Sequence, residues 1–294
     1  MTAHARLQAS TPDHHQLTVR DQRFARGQRR ERGVDPVAAA WFAALSASFP
    51  RGEAMFIDAV RQHRDGVPEK LAEEIRDFIK QEVNHSREHL AFNRAVEEAG
   101  YDLTHIDARV KNLVAMTQSL RPIAQLGITC ALEHFTAIFA HEFLTNRDEL
   151  TPAGIGDIDL WLWHSVEEID HKAVAFDTFL HATRDWSAFK RWRFRCLLML
   201  IVSIRFTRNR STDAIELMRQ DGIGTWAARW KLFAYLVYSP GLLRRVARNW
   251  LRYFRPGFHP WDHDDRYLIA GWEMEQAGRA SAGAHDPQRA PAAA

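Results

Sequence analysis

Two Glu-x-x-His pairs stand out in the sequence: Glu82 with His85 in "FIKQEVNHSREHLAFNRAV", and Glu168 with His171 in "WLWHSVEEIDHKAVAFD". Residues three apart face the same side of an α-helix, so each pair can bind one ion. The surrounding segments are strongly apolar, and an unpaired charge on an apolar face costs about several kcal/mol. Each pair therefore requires a partner, and a metal ion is chemically suitable.

Two single glutamates complete the pattern, Glu53 in "GEAMFIDAV" and Glu133 in "ALEHFTAIFA". In chain order the four segments supply Glu, Glu-x-x-His, Glu and Glu-x-x-His. This is the ligand set of a carboxylate-bridged dimetal site in a ferritin-like bundle. We therefore predict two metal ions bound by Glu53, Glu82, His85, Glu133, Glu168 and His171.

Further polar residues on these segments have open roles. His164 lies four residues before Glu168 on the same helix face, where it either reaches a metal or hydrogen-bonds as a core histidine. If the helix is rotated by one position, Glu167 is the metal ligand in place of Glu168. We expect His89, Thr136 and Glu167 behind the ligands. We also expect His134 to face another helix, and His141 and Glu142, two turns further on, to lie either behind the ligands or at the surface.

The residue types also favour particular metals. Carboxylates neutralise and bridge two cations, while one imidazole per ion leaves a coordination position open for oxygen or substrate. No cysteine lies on the ligand face, which favours iron, with manganese or zinc as alternatives.

The elements that carry these residues are predicted to be helices. Apolar residues recur at helical spacing, and no convincing two-residue alternation is present. We predict an all-α fold, a ferritin-like four-helix bundle with additional C-terminal helices. Helix ends are expected at Pro50–Arg51–Gly52, Gly100 and Thr151–Pro152. The predicted organisation is a disordered basic extension (1–34), the dimetal bundle (35–184), basic aromatic-rich helices packed on it (185–276) and a disordered tail (277–294).

Composition limits the compartment and the class. The 294 residues, 46% of them hydrophobic and 26% charged, fit a soluble globular protein. The N-terminus has no apolar signal region, and Cys130 and Cys196 lack CxxC spacing, so we expect a reducing cytoplasm and no disulfide.

Residues 186–255 differ sharply in charge from the rest of the chain. They contain fifteen Lys/Arg and three acids, a net charge of +12, against 24 basic and 34 acidic residues elsewhere. The apolar run "CLLMLIVSI" is too short to span a bilayer. Helices that interleave arginines with aromatic and aliphatic residues suit peripheral contact with an anionic membrane or binding of an acyl-type ligand. We favour ordinary packing on the bundle, with the arginines paired to its acidic side. Nucleic acid is not expected, because no binding module accompanies the charge.

Five blocks carry a resemblance to a known family: "FPRGEAMFIDAVR", "FIKQEVNHSREHLAFNRAV", "ALEHFTAIFA", "WHSVEEIDHKAVAFD" and "YFRPGFHPWD". They resemble the bacterial predicted metal-dependent hydrolases across nearly all of residues 35 to 265. The ligand pattern is also similar to that of ferritin-like diiron arylamine N-oxygenases, whose last ligand helix carries His-x-x-x-Glu-x-x-His. That likeness implies His164 as a seventh ligand and O2 chemistry, without implying an amine substrate.

The favoured function is therefore a non-haem dimetal enzyme, with two irons, that activates O2 to oxidise an apolar or aromatic small molecule. Its partners would be the substrate, O2 and an electron donor. The alternatives are a dimetal hydrolase of an ester or amide, as the family label suggests, and a non-enzymatic iron-binding bundle. Phe56, Phe135 and Trp163 are candidates to line a pocket. The sequence predicts neither the substrate nor the oligomeric state.

Overall fold

The computed structural model describes residues 11–12, 15–24, 35–147 and 158–284. Within these ranges the regular structure is helical and contains no strand, which confirms the all-α prediction. The N-terminal helices are α1 (Pro36–Ser46), α2 (Phe49–Arg61), α3 (Glu69–Glu98), α4 (Thr104–Gln118), α5 (Pro122–Thr145), α6 (Ile158–His171) and α7 (Val174–Ala182). The C-terminal helices are α8 (Ala188–Gln220), α9 (Thr225–Val237), α10 (Leu242–Arg252), a 3-10 turn (Pro260–Asp262) and α11 (Arg266–Ala284).

Helices α2, α3, α5 and α6 form the four-helix bundle. Helix α2 packs on α3 and α5, and α6 packs on the same two helices, so the four enclose a common core. Helix α5 is long and apolar enough to cross a membrane by length and composition alone, but 72% of that stretch is buried inside the protein. Burial in the bundle core therefore explains why helix α5 is so apolar.

The C-terminal helices cover one side of this bundle. Helix α8 packs on α1 and α5, α9 packs on α8, and α10 packs on α5. Gly127 on α5 permits the close approach of α8, because a Cβ there would lie 2.5 Å from a methyl group of Leu198. Cys130 and Cys196 are both buried and free of any disulfide.

The expected helix ends are met only in part. Gly100, with φ +100°, follows the end of α3 as predicted. The predicted break at Pro50–Arg51–Gly52 is wrong, because α2 begins at Phe49 and contains all three residues. Proline lacks an N–H and fits the first turn of a helix, where that group has no partner. Thr151–Pro152 lie outside the described residues.

The predicted disorder of residues 1–34 is wrong for residues 15–24. This segment lies along the bundle without helix. Its backbone N–H groups at Thr18 and Arg20 donate to Asp170 Oδ2 (2.8 Å) and Glu167 Oε1 (2.7 Å). Trp163 Nε1 donates to the Arg20 carbonyl at 2.9 Å. Buried carboxylates thus hold a segment that has no apolar periodicity of its own; most of the remaining residues before 35 are outside the described ranges.

The predicted C-terminal disorder also begins too early. Helix α11 continues to Ala284, eight residues beyond the predicted boundary at 276. Alanine favours helix, and Arg279 pairs with Asp159 at 2.9 Å and with Glu275 at 2.7 Å. Residues 285–294 lie outside the described residues.

Candidate metal centre

The six predicted ligands converge in the middle of the bundle. Helix α2 supplies Glu53, α5 supplies Glu133, and α3 and α6 each supply one Glu-x-x-His pair; all six side chains are buried. His171 Nε2 lies 3.4 Å from Glu82 Oε1, 3.5 Å from Glu133 Oε2 and 3.5 Å from Glu168 Oε2. Four helices therefore direct carboxylate and imidazole groups into one space.

Glu82 and Glu168 lie between the two histidines. One oxygen of each carboxylate is 3.7 Å from His85 Nδ1, and the other oxygen is 3.4 or 3.5 Å from His171 Nε2. Glu53 groups with His85 and His164, and Glu133 groups with Glu82 and His171, with ligand atoms within 4.8 Å of one another in each group. Two of the four carboxylates, Glu82 and Glu168, thus contact both histidines, and the other two lie at opposite ends of the cluster.

Eight buried atoms of these residues have no hydrogen-bond partner in the protein. They are Glu53 Oε1, both oxygens of Glu82 and of Glu133, Glu168 Oε2, His85 Nδ1 and His171 Nε2. Buried polar atoms are nearly always paired, since an unpaired one costs about 1–3 kcal/mol. A metal ion would give these atoms the partners that the protein does not supply, so the donor set of the six residues fits metal ions.

The opposite nitrogen of each histidine is held by the residue that precedes a cluster glutamate. His85 Nε2 donates to Glu167 Oε2 at 2.9 Å, and His171 Nδ1 donates to Gln81 Oε1 at 3.0 Å. Such outer hydrogen bonds fix ring orientation and leave the inner nitrogen free to bind a metal. Glu168, rather than Glu167, thus faces the cluster. We missed the role of Gln81, although its place before Glu82 matches that of Glu167 before Glu168.

Burial and crowding set the charges in the metal-free cluster. Burial, then repulsion by Glu82, raises the pKa of Glu53 and Glu133 well above the usual value. Burial likewise raises the pKa of Glu82. For Glu168 burial acts in the same direction, but His171 outweighs it and holds the pKa of Glu168 well below the usual value. Cations would relieve the repulsion among these carboxylates.

His164 lies against the cluster, but both of its nitrogens have neighbours. Nε2 is 2.7 Å from Glu168 Oε1, and Nδ1 is 2.6 Å from His89 Nε2. Its ring stacks on His85 with centroids 4.1 Å apart. The tautomer of His164 therefore decides whether Nε2 donates to Glu168 or offers a lone pair.

A hydrogen-bond chain behind His164 decides the tautomer. Asn93 donates its amide to the Ser46 carbonyl, so its oxygen accepts the Ser46 hydroxyl proton at 2.7 Å. Ser46 Oγ must then accept from His89 Nδ1 at 2.9 Å. Burial lowers the pKa of His89 well below its usual value and that of His164 to about 4. Neutral His89 accepts at Nε2 from His164 Nδ1, so His164 Nε2 carries a lone pair, and a proton or a cation must lie between this nitrogen and the Glu168 oxygen 2.7 Å away.

The remaining predicted residues occupy various positions. His89 and Glu167 lie behind the ligands, and Thr136 donates to the Glu133 carbonyl at 2.9 Å and lines a cavity. His134 is 3.2 Å from the Asn249 carbonyl, away from the cluster. His141 pairs with Asp265 at 3.1 Å, and Glu142 accepts from Asn146 at 2.8 Å. Asp265 also pairs with Lys172, so the group of His141 and Asp265 already contains a positively charged side chain.

An apolar cavity of about 370 Å³ reaches the cluster at Glu53 and Thr136. Side chains of α2, α4, α5 and α8 line it, among them Phe56. A smaller cavity of about 40 Å³ adjoins His164 and Glu168 and is lined by Phe135. Phe49, Thr136 and Phe206 border both cavities. Trp163 lines neither of these two cavities and packs between His85 and Phe24.

Fold and site together define a helical-bundle protein whose core holds a carboxylate–imidazole cluster suited to metal ions. Residues 18–264 match the family described as predicted metal-dependent hydrolase, and the chain belongs to that family. The family description names a metal-dependent enzyme, in agreement with the metal-ligand groups in the bundle. The chain matches no curated protein and no solved structure.

Proposed function

We propose that the protein is a dimetal enzyme that converts an apolar small molecule bound in the cavity beside Glu53. The observation that carries this proposal is the set of eight unpartnered donor atoms on six converging residues. Glu82 and Glu168 would bridge two ions. Glu53 and His85 would hold one ion, and Glu133 and His171 the other. His164, whose Nε2 faces the same space, would be a seventh ligand on the His85 side.

For the reaction we propose oxidation by O2, with iron as the metal. Two bound irons supply the electrons for this chemistry, and carboxylate–imidazole ligands suit iron. The protein's own groups support it. The cavity wall is largely apolar, and Phe49 and Phe206 stand between the large cavity and the small one beside Glu168, where they limit the entry of water. An electron donor is required as a partner.

Hydrolysis is the second candidate, because the family description names a metal-dependent hydrolase and does not name oxidation; an ester or amide is the bond that we propose for it. Two cations of this kind can lower the pKa of a water so that it attacks a carbonyl. The residues beside the cavity, Glu53 and Thr136, would then position that water and the substrate.

One experiment separates the two reactions. Metal-free protein is loaded anaerobically with Fe(II) and exposed to O2, while Zn(II)- and Mn(II)-loaded samples are incubated with medium-chain fatty-acyl esters. Oxidation predicts O2 consumption in proportion to bound iron, with an absorption spectrum typical of a coupled ferric pair. Glu82→Ala, which lacks a bridging carboxylate, should consume none. Ester cleavage by the Zn(II) or Mn(II) form without O2 consumption by the iron form would establish hydrolysis instead.

A further inference from the structure

The solvent side of α8 carries an apolar stripe. Leu197, Leu200, Ile201 and Ile204 follow the spacing i, i+3, i+4 and i+7, so they share one face of the helix. They are 56, 46, 40 and 70% exposed, respectively. Large aliphatic side chains on one exposed face indicate a surface that another body covers.

Helix α9, which packs on α8, has a stripe of the same kind built from aromatic residues. Trp226, Trp230 and Phe233 share one face and are 81, 65 and 44% exposed. Arg229 lies between them, with its guanidinium 5.6 Å from the centre of the Trp226 ring. We call the two stripes together the basic aromatic surface.

Cations flank both stripes, and several of them have no acidic partner among the residues that the structure describes. Five of these cations are exposed and form no ion pair with a carboxylate of the described residues: Arg193, Arg205, Arg208, Arg229 and Lys231. The expected pairing with the acidic side of the bundle is therefore not found for these five. Their positive charge is available to an anionic partner.

We propose that the basic aromatic surface binds an anionic lipid membrane as a peripheral contact. Tryptophan and arginine beside aliphatic side chains suit the interface between headgroups and acyl chains. A symmetric contact with a second copy would place this positive surface against itself, which repulsion disfavours. Nucleic acid would satisfy the arginines but would leave the leucine and isoleucine side chains in water.

The position of the large cavity supports a lipid partner. Ile201 and Arg205 belong to both the surface and the cavity wall, so the cavity opens beside the proposed contact. An apolar substrate could then enter from the bilayer, with an anionic end group held by Arg205. This step rests on the proposed function, whereas the membrane contact itself does not.

The test is flotation of the metal-loaded protein with vesicles of phosphatidylcholine alone and with vesicles of equal parts phosphatidylcholine and phosphatidylserine. We expect binding to the phosphatidylserine vesicles, weakened by salt, and quenching of tryptophan fluorescence by brominated acyl chains. W226A/W230A should bind at least about tenfold more weakly, and R193A/R208A should lose about tenfold of the preference for phosphatidylserine. Met274→Ala (72% exposed) and Lys111→Ala are matched controls elsewhere on the surface and should bind like wild type.

Melting temperature and metal content of each variant verify its fold. The proposal is overturned if the protein binds neither vesicle, or if W226A/W230A binds as wild type does. Loss of self-association in the same variant, without vesicle binding, would identify a contact between copies. Binding of duplex DNA without vesicle binding would identify a nucleic-acid surface. Because none of these measurements depends on turnover, the membrane contact and the proposed reaction fail or succeed separately.

Discussion

The two halves of the cluster are built alike but are not equivalent. Each half combines a terminal glutamate with a Glu-x-x-His pair, and each histidine is held from behind by the residue before the glutamate of the opposite helix. The half around His85 has a carboxylate in that place, Glu167, whereas the half around His171 has a neutral amide, Gln81. A charged partner makes the imidazole a stronger donor to a metal.

The second difference lies four residues before each bridging glutamate. On α6 this position is His164, which stacks on His85 at 4.1 Å; on α3 it is Phe78, whose ring meets His171 edge-on at 4.9 Å. The first half is therefore richer in nitrogen donors and the second is more apolar. Helices α3 and α6 thus carry the same Glu-x-x-His spacing with different neighbouring side chains. We therefore expect two bound ions to differ in electronic structure.

Removal of the metals should have the largest effect, because both halves then lose their common neutralising charge. A ligand at one hundred times its Kd stabilises the folded state by about 2.7 kcal/mol. For a chain of this size that corresponds to a fall in Tm of about 4 °C for each ion removed by chelation. Calorimetry with and without a chelator measures it. Glu82→Ala should not respond to the chelator; equal Tm values for the two wild-type samples would contradict a buried dimetal centre.

The metal-free protein should also lose stability as the pH rises into the alkaline range, above about pH 8. The pKa values of Glu53, Glu82, Glu133, His85 and His171 are raised in the folded state, so that state binds more protons than the unfolded chain. Its stability falls as those protons leave with rising pH. Histidines with a lowered pKa, such as His164 at about 4, give the opposite slope near pH 6.5, where the unfolded imidazoles lose their protons, and this slope fades above about pH 8. Urea unfolding across this range tests the sign; a rise in stability would contradict it.

Replacement of His164 by Phe should make the first half resemble the second. We expect the variant to retain two irons but to lose most of the difference between them, seen as two Mössbauer doublets moving toward one. Loss of a nitrogen donor should also lower O2 reactivity by about tenfold or more. His141→Ala, outside the cluster, is the matched control. An unchanged spectrum would identify His164 as a core histidine that binds only through hydrogen bonds.

The sequence predicted the cluster better than its surroundings, for a physical reason. Ionisable residues at i and i+3 on apolar helices, such as Glu82 and His85, are costly without a metal, so their pattern is informative. Gln81 carries no such cost and was overlooked. The segment at Thr18 and Arg20 was missed because backbone N–H groups, not apolar side chains, attach it to Asp170 and Glu167. Pro50 was misread because proline both starts and ends helices.

Exchange of the outer hydrogen-bond partners should have the smallest effect, and it tests the first difference between the halves directly. Glu167→Gln retains a group that accepts from His85 but removes its charge, so the first half becomes like the second. Loss of an outer partner typically costs about 10–100-fold in metal affinity, and a partner that still accepts should cost less, about two- to tenfold. Gln81→Glu should strengthen binding by a similar or smaller factor, because it adds charge behind His171. Competition with a chromogenic chelator measures both, and Glu97→Gln, an exposed residue of α3, controls for net charge. If both exchanges left the affinity unchanged, the charge behind each histidine would not matter, and the inequivalence of the halves would rest on His164 alone.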